Sequence, residues 1–310
     1  MKAVVLSDWG DASNFSVRDV PNPVIQPNEV LVQVKAFGIN PADYKTRSGT
    51  APYAKQYTHP IILGWDMAGD VVAVGSSVTD FKPGDAVYGM VNFPNPGQAY
   101  AEYVAAPAAD LALKPAKLTY TQAAAAPLAV LTAWQALTEY GHLQAGQTVL
   151  VQAASGGVGH LGVQLAKALG ATVIGTASGK NEAFVRSLGV DEFFDYTTTD
   201  IGHTLNGIDL VFDTVGADTI FQSAEVLKPG GRLISIAYGA MDKVLAERPD
   251  ISAERILVHT SGDDLRKINQ LIDAGKLHIE VSEVLPANLI ADAHQKLESR
   301  RTTGKIVLHF

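Results

Sequence analysis

Ala154, Gly156 and Gly159 carry the most specific chemistry in the chain, spaced as A-x-G-x-x-G. An apolar run over 148–153 leads into them, and a helical pattern starts near His160. Strand, tight small-residue turn and helix, in that order, cradle the pyrophosphate of a dinucleotide. Small residues let the backbone come close, and the first helical N–H groups point at the phosphates. Alanine stands where the first glycine of such a pattern usually sits. The candidate cradle is therefore the whole turn: Ala154, Ser155, Gly156, Gly157, Val158 and Gly159. Glycines also mark ordinary turns, so the flanking strand and helix supply the specificity.

A second group follows about twenty residues later, where a strand-like run over 172–177 passes into Ser178, Gly179, Lys180 and Asn181 with no carboxylate before Glu182. An acid at this place would accept from the ribose 2′-hydroxyl of NAD. Hydroxyls and a lysine suit a 2′-phosphate, which needs donors and positive charge. Ser178 and Lys180, with Tyr196 just past the third strand, point to NADPH. Ser178 also fits a helix cap and Lys180 a solvated surface, and these roles are compatible with phosphate binding.

The elements that must position these residues fall into three blocks. Residues 1–118 alternate in the strand period over 29–35, 70–74, 86–89 and 101–105, broken by Pro and Gly turns. From 119 to 264, strands near 148–153, 172–177, 192–195, 209–213, 231–236 and 256–259 alternate with helices near 160–169, 180–188 and 218–227. That rhythm predicts a parallel, doubly wound sheet with right-handed crossovers. Ala123–Ala126 reads as a helix start. The last block, a helix near 263–274, a strand around 278–284, a helix near 288–298 and a strand over 305–309, has too little mass for a domain of its own. It is expected to complete the N-terminal β domain.

Composition narrows the class. The chain has 310 residues, 47% hydrophobic and 18% charged, with a net charge of −8 and no cysteine. The acidic balance argues against nucleic-acid or acidic-membrane partners. No apolar run reaches membrane-spanning length, and the start lacks the apolar stretch of a signal peptide. The absence of cysteine removes disulfides, thiolate nucleophiles and Cys-based zinc sites. A cytoplasmic enzyme acting on a small molecule is the expectation.

Further motifs along nearly the whole chain carry a family resemblance: Gly38, Asn40, Pro41, Asp43, Arg47 and Gly49 within 38–49; Gly64, Trp65, Asp66 and Gly69 within 63–71; the runs 127–137, 153–167 and 212–216; and the tail 301–308. With these the chain resembles the medium-chain dehydrogenase/reductases, in their zinc-independent quinone oxidoreductase (zeta-crystallin-like) branch. The resemblance implies an α/β protein made of a GroES-like β domain (1–118 and 265–310) and a Rossmann doubly wound parallel-sheet domain (119–264). It also implies a homodimer formed through a Rossmann edge strand.

Departures from the zinc-dependent relatives bear on mechanism. Those relatives carry a cysteine near the position of Asn40 and a His-Glu pair where Trp65-Asp66 stand here. No histidine spacing suits a metal, and His59 and His160 fit a solvated or structural role better than a ligand role. Without a Lewis acid, the favoured chemistry is hydride delivery to an acceptor whose own conjugation stabilises the developing charge, such as a quinone or an α,β-unsaturated carbonyl. The candidate catalytic residues are Tyr53, Asn40 and Asp43. Asn40 and Asp43 fit turn and N-cap chemistry equally. Tyr53 resembles a tyrosine placed beside the nicotinamide, and fits aromatic packing as well. Thr132 resembles a nicotinamide contact, while Thr214, Val215 and Ala237 end the fourth and fifth Rossmann strands, where open α/β sheets bind ligands. Lys305 reads as a strand-flanking lysine, and Arg300-Arg301 as a solvated pair. Two competing functions share the fingerprint: an enoyl-thioester reductase and a non-catalytic NADPH-binding redox sensor.

Overall fold

The structure, a computed structural model, describes residues 1–310, with the side chain of Lys55 outside the description. In chain order the first elements are β1 (Lys2–Leu6), β2 (Phe15–Asp19), β3 (Glu29–Gly38), α1 (Pro41–Arg47), β4 (Ile61–Ile62), β5 (Asp66–Val74), β6 (Ala86–Met90), β7 (Tyr103–Pro107) and β8 (Leu111–Leu113). Then come α2 (Tyr120–Ala125), α3 (Pro127–Gln135), β9 (Thr148–Val151), α4 (Gly159–Ala168), β10 (Thr172–Ala177), α5 (Glu182–Ser187), β11 (Glu192–Asp195), α6 (Ile201–Thr204) and β12 (Ile208–Asp213). The last are α7 (Thr219–Glu225), β13 (Leu227–Ser235), α8 (Met241–Glu247), β14 (Ser252–Arg255), α9 (Gly262–Asp273), β15 (Val281–Pro286), α10 (Ile290–Glu298) and β16 (Lys305–His309).

The chain packs into two compact units. One holds Met1–Leu131, His259–Ala274 and Ile279–Phe310; the other holds Thr132–Val258 and Gly275–His278. The division at 131/132 differs from the one expected at 118/119. The reason is α2, which packs on β3 and β5 of the first unit.

In the first unit β3 shows why a strand forms. Val30, Val32 and Val34 turn inward, while Leu31, Gln33 and Lys35 alternate with them on the more exposed face. β3 lies between β5 and β16 in a sheet ordered β15-β16-β3-β5-β6-β8, with β7 also paired to β3. The C-terminal strand β16 runs antiparallel to β3, with Val307 opposite Gly38 and Leu308 opposite Phe37. A small sheet ordered β2-β1-β4 completes the unit. On α9, Leu265, Ile268 and Ile272 form the buried face, and Ser261 caps its start by accepting from Asp264 N–H.

The second unit is a six-stranded sheet ordered β11-β10-β9-β12-β13-β14, parallel throughout. Central strands β9 and β12 are apolar runs buried on both faces, as a helix-covered parallel sheet requires.

Several elements differ from expectation. The sixth strand is Ser252–Arg255, not 256–259: Ile256 and Val258 are buried just past the paired register, where Ile256 N–H makes one last bond to Ser235 O at 2.9 Å. Ala123–Ala126 ends a helix instead of starting one. That helix begins after Thr119, whose hydroxyl accepts from Gln122 N–H while the Gln122 side chain reaches back, a reciprocal cap. Helices α6 and α8 were not among the expected elements.

Candidate active site

The glycine turn is built for close backbone approach. A Cβ on Gly159 would stand 2.2 Å from Ala153 O, so only glycine fits there. Helix α4 starts at this residue, and its N-cap Val158 supplies no side-chain cap. Among the described residues, the N–H groups of Gly157, Val158 and Gly159 make no hydrogen bond within the chain. These donors stand at the N-terminus of a ten-residue helix and are open to an acceptor from outside the chain. Ala154 is fully buried, with its N–H on Thr176 O, and His160 Nδ1 lies 2.9 Å from Gly156 O. His160 is thus a buried structural histidine.

At the end of β10, Ser178 is half-buried, Lys180 exposed and Tyr196 59% exposed. Lys180 forms no ion pair among the described residues. Asp195 comes in from the neighbouring strand β11. Its Oδ2 lies 2.5 Å from where a Cβ on Gly179 would stand. The hydroxyl and N–H of Thr197, with the N–H of Gly179, hold its carboxyl below the usual range. Asp195 is a residue that sequence spacing missed, because it belongs to a strand other than β10.

The strand ends at β12 and β13 are stapled by buried Asp213. Its Oδ1 accepts from the N–H groups of Val215 (2.9 Å) and Gly216 (3.0 Å), and its Oδ2 accepts from Ser235 Oγ (2.5 Å). Thr214 gives its hydroxyl to Gln152 O at 2.9 Å, and Ala237 N–H donates to Ser235 Oγ at 3.1 Å. The N–H groups of Val215 and Ala237 are therefore engaged within the chain. Thr132 is buried within α3.

In the first unit the Asn40 loop forms a buried polar network. Asn40 caps α1, and its N–H donates to Asp43 Oδ2 at 2.6 Å. Its side-chain amide donates to Asp66 Oδ2 at 2.9 Å, and its side-chain carbonyl accepts from Lys305 Nζ. Lys305 Nζ also donates to Ile39 O at 3.1 Å and lies 3.9 Å from Asp66 Oδ2. Asp66 Oδ1 accepts from Leu128 N–H at 2.8 Å, placing a carboxyl at the start of α3. Burial raises the Asp66 carboxyl to about 6, against the lowering effects of Lys305, Asn40 and Leu128. Burial likewise raises Asp43 to about 8 and pulls Lys305 below the ordinary lysine value. Tyr100, which interacts with Asp43, lies with its hydroxyl 3.2 Å from His294 Nε2, and burial lowers His294 to about 3.

This geometry holds Asn40 and Asp43 inside a buried polar network. Both are at most 1% exposed; both ends of the Asn40 amide are committed, whereas Asp43 Oδ1 is buried with no hydrogen-bond partner among the described residues. They position α1 and the strand-end lysine. Lys305, the first residue of β16, is 4% exposed and belongs to the same network.

Tyr53 is half-buried and packs edge to face against Trp65 and Phe93, with centroids 6.0 and 5.5 Å away. Trp65 is 1% exposed and donates its indole N–H to Asn95 O at 2.8 Å. An aromatic cluster and a network carboxylate thus occupy the Trp65-Asp66 positions. No group of three or more His, Asp or Glu side chains that could hold a metal ion occurs among the described residues.

Comparison with known proteins fits this architecture. Residues 26–116 match the family described as alcohol dehydrogenase GroES-like domain, and residues 188–308 the family described as zinc-binding dehydrogenase. The Arabidopsis thaliana NADPH-dependent alkenal/one oxidoreductase, a chloroplastic protein, is 37% identical, over 100% of this chain and 79% of its own length. The Coxiella burnetii quinone oxidoreductase structure superposes with a TM-score of 0.94 at 36% identity, covering 100% of this chain and 99% of that one. The Escherichia coli quinone oxidoreductase, solved with NADPH, gives a TM-score of 0.89 at 27% identity over 100% of both chains. The chain belongs to the medium-chain dehydrogenase/reductase superfamily, in its zinc-independent quinone and alkenal oxidoreductase branch.

Proposed function

We propose that this chain is an NADPH-dependent, metal-free reductase that transfers a hydride to quinones or to alkenes conjugated with a carbonyl. The observation that carries the reading is the donor set of the second unit: three unpaired N–H groups at an uncapped helix start, with Ser178, Lys180 and Tyr196 past the neighbouring strands. Those residues fit a dinucleotide bearing a 2′-phosphate. The turn would hold the pyrophosphate, and Ser178, Lys180 and Tyr196 the 2′-phosphate. Bound NADPH supplies a hydride to the electron-poor carbon of the acceptor. Tyr53 is assigned as the group that donates a hydrogen bond or proton to the acceptor oxygen, where negative charge collects. Thr132, Thr214, Val215 and Ala237 are assigned to the nicotinamide end, where the stapled strand ends supply shape instead of free donors.

The names of the similar alkenal and quinone oxidoreductases support this acceptor class over an enoyl thioester or a binding-only role. The test is product analysis with NADPH and a panel of quinones, 2-alkenals and enoyl thioesters. Hydroquinone or saturated carbonyl product is expected; reduction of the thioesters alone would overturn the acceptor class. Lys180→Ala is expected to weaken NADPH selectively, and an equal loss for NADH would contradict the 2′-phosphate role. The proposal also takes the protein as a cytoplasmic homodimer, with the open edge of β14 as the pairing strand. Sedimentation at working concentration and fractionation of the source cells check these two points. No helix among the described residues is long and apolar enough to cross a membrane.

A further inference from the structure

Asn181 stands between the two phosphate-binding segments, and its side chain does no helix capping although it occupies the N-cap position of α5. Its amide donates instead to two serine hydroxyls, Ser155 Oγ at 3.0 Å in the glycine turn and Ser178 Oγ at 3.3 Å past β10. A serine oxygen that accepts such a bond keeps one hydrogen to give. Neither Ser155 nor Ser178 gives that hydrogen to an acceptor among the described residues. The amide therefore fixes both oxygens with their hydrogens directed away from it. Two donors so held, one of them with only 9% of its surface exposed, call for an anionic oxygen to complete each. The charged groups beside them are Lys180, which adds positive charge, and Asp195, whose carboxylate is engaged by Thr197 and Gly179.

We propose that Asn181 is a positioning residue for cofactor choice: it holds Ser155 as a donor to the pyrophosphate and Ser178 as a donor to the 2′-phosphate, and so sets the preference for NADPH over NADH. This rests on the NADPH reading above. The pyrophosphate is common to both cofactors, whereas only NADPH carries the 2′-phosphate. Loss of the amide therefore falls harder on NADPH. A simple tie between two loops would instead affect both cofactors alike.

The test measures Kd for NADPH and NADH by fluorescence titration without acceptor, and KM and kcat with one quinone acceptor, on the full chain as wild type, Asn181→Ala, Ser178→Ala and the double variant. Asn181→Ala is expected to raise KM for NADPH about fivefold, the effect of losing one hydrogen bond of ordinary strength, with a smaller rise for NADH and kcat held. Because Asn181 acts through Ser178, the double variant should have nearly the cofactor preference of Ser178→Ala alone. Asn181→Asp keeps the shape but can only accept, turning both hydroxyl hydrogens inward, and should lower the preference further. An equal rise in KM for both cofactors, full additivity in the double variant, or an unchanged preference in Asn181→Asp would overturn the inference. A wild type that binds NADPH no better than NADH would overturn the cofactor reading itself, and this inference with it.

Discussion

Lys305 is 4% exposed and is held by Asn40, Ile39 and Asp66, residues some 240 to 266 positions away in the chain. A buried cation survives only when paired and hydrogen-bonded, and removing one partner of such a set is costly. Lys305→Met is expected to lose about 3–5 kcal/mol in urea denaturation, since it leaves the buried Asp66 carboxylate without its cation. A loss below about 1 kcal/mol would show that the network contributes little. Asp43 yields a pH prediction. Its carboxyl, raised to about 8, keeps a proton in the folded chain that the unfolded chain has already released. Stability from this group is therefore complete at low pH and falls as pH rises from about 4 towards 8, by at most about 1.4 kcal/mol per unit. Relative to Asp43→Asn, the wild-type thermal midpoint should fall across that window and level off above it. A difference between the two that does not change with pH would contradict this. None of these pairings was legible in the sequence. The Asn40 loop matched a family motif and Lys305 read as a strand-flanking lysine, and neither pattern names the other as its partner. Only the meeting of β3, β5 and β16 brings them together.

At the scale of elements, the strand–turn–helix unit around Gly159 was fully legible, because its chemistry is local: a strand, small residues and a helix start within a dozen positions. The same holds for the end of β10. Asp195 and Asn181 were not legible, because each acts across strands or between loops. The shifted sixth strand has a similar cause, since the burial of Ile256 and Val258 does not say which backbone pairs. Two element-scale outcomes are expected. Gly159→Ala should displace the turn, since its Cβ would stand 2.2 Å from Ala153 O, and NADPH titration should show affinity reduced at least about tenfold. Unchanged affinity would mean that the turn does not hold the cofactor. Thr119→Ala removes the reciprocal cap of α2 and should cost about 1 kcal/mol of stability, with NADPH affinity unchanged because α2 belongs to the other unit.

For the whole molecule, composition and the order of motifs gave the class: a β-rich first unit, a parallel-sheet second unit and a tail returning to the first. The domain boundary was less legible, because α2 looks by pattern like part of the helix-rich segment that follows it. The chain has no cysteine, Trp65 is engaged with Phe93 and Asn95, and Asp66 is engaged with Asn40 and Leu128. A chelator is therefore expected to leave turnover unchanged, and loss of activity restored by zinc would contradict that. The central claim is direct hydride transfer from NADPH to a conjugated acceptor. The most direct measurement is to supply NADPH deuterated at the transferable position with a 2-alkenal, and to locate the label in the product by mass spectrometry and NMR. The predicted result is one deuterium on the carbon β to the carbonyl. NADPH bound without turnover of any acceptor, or product formed without the label on that carbon, would contradict it.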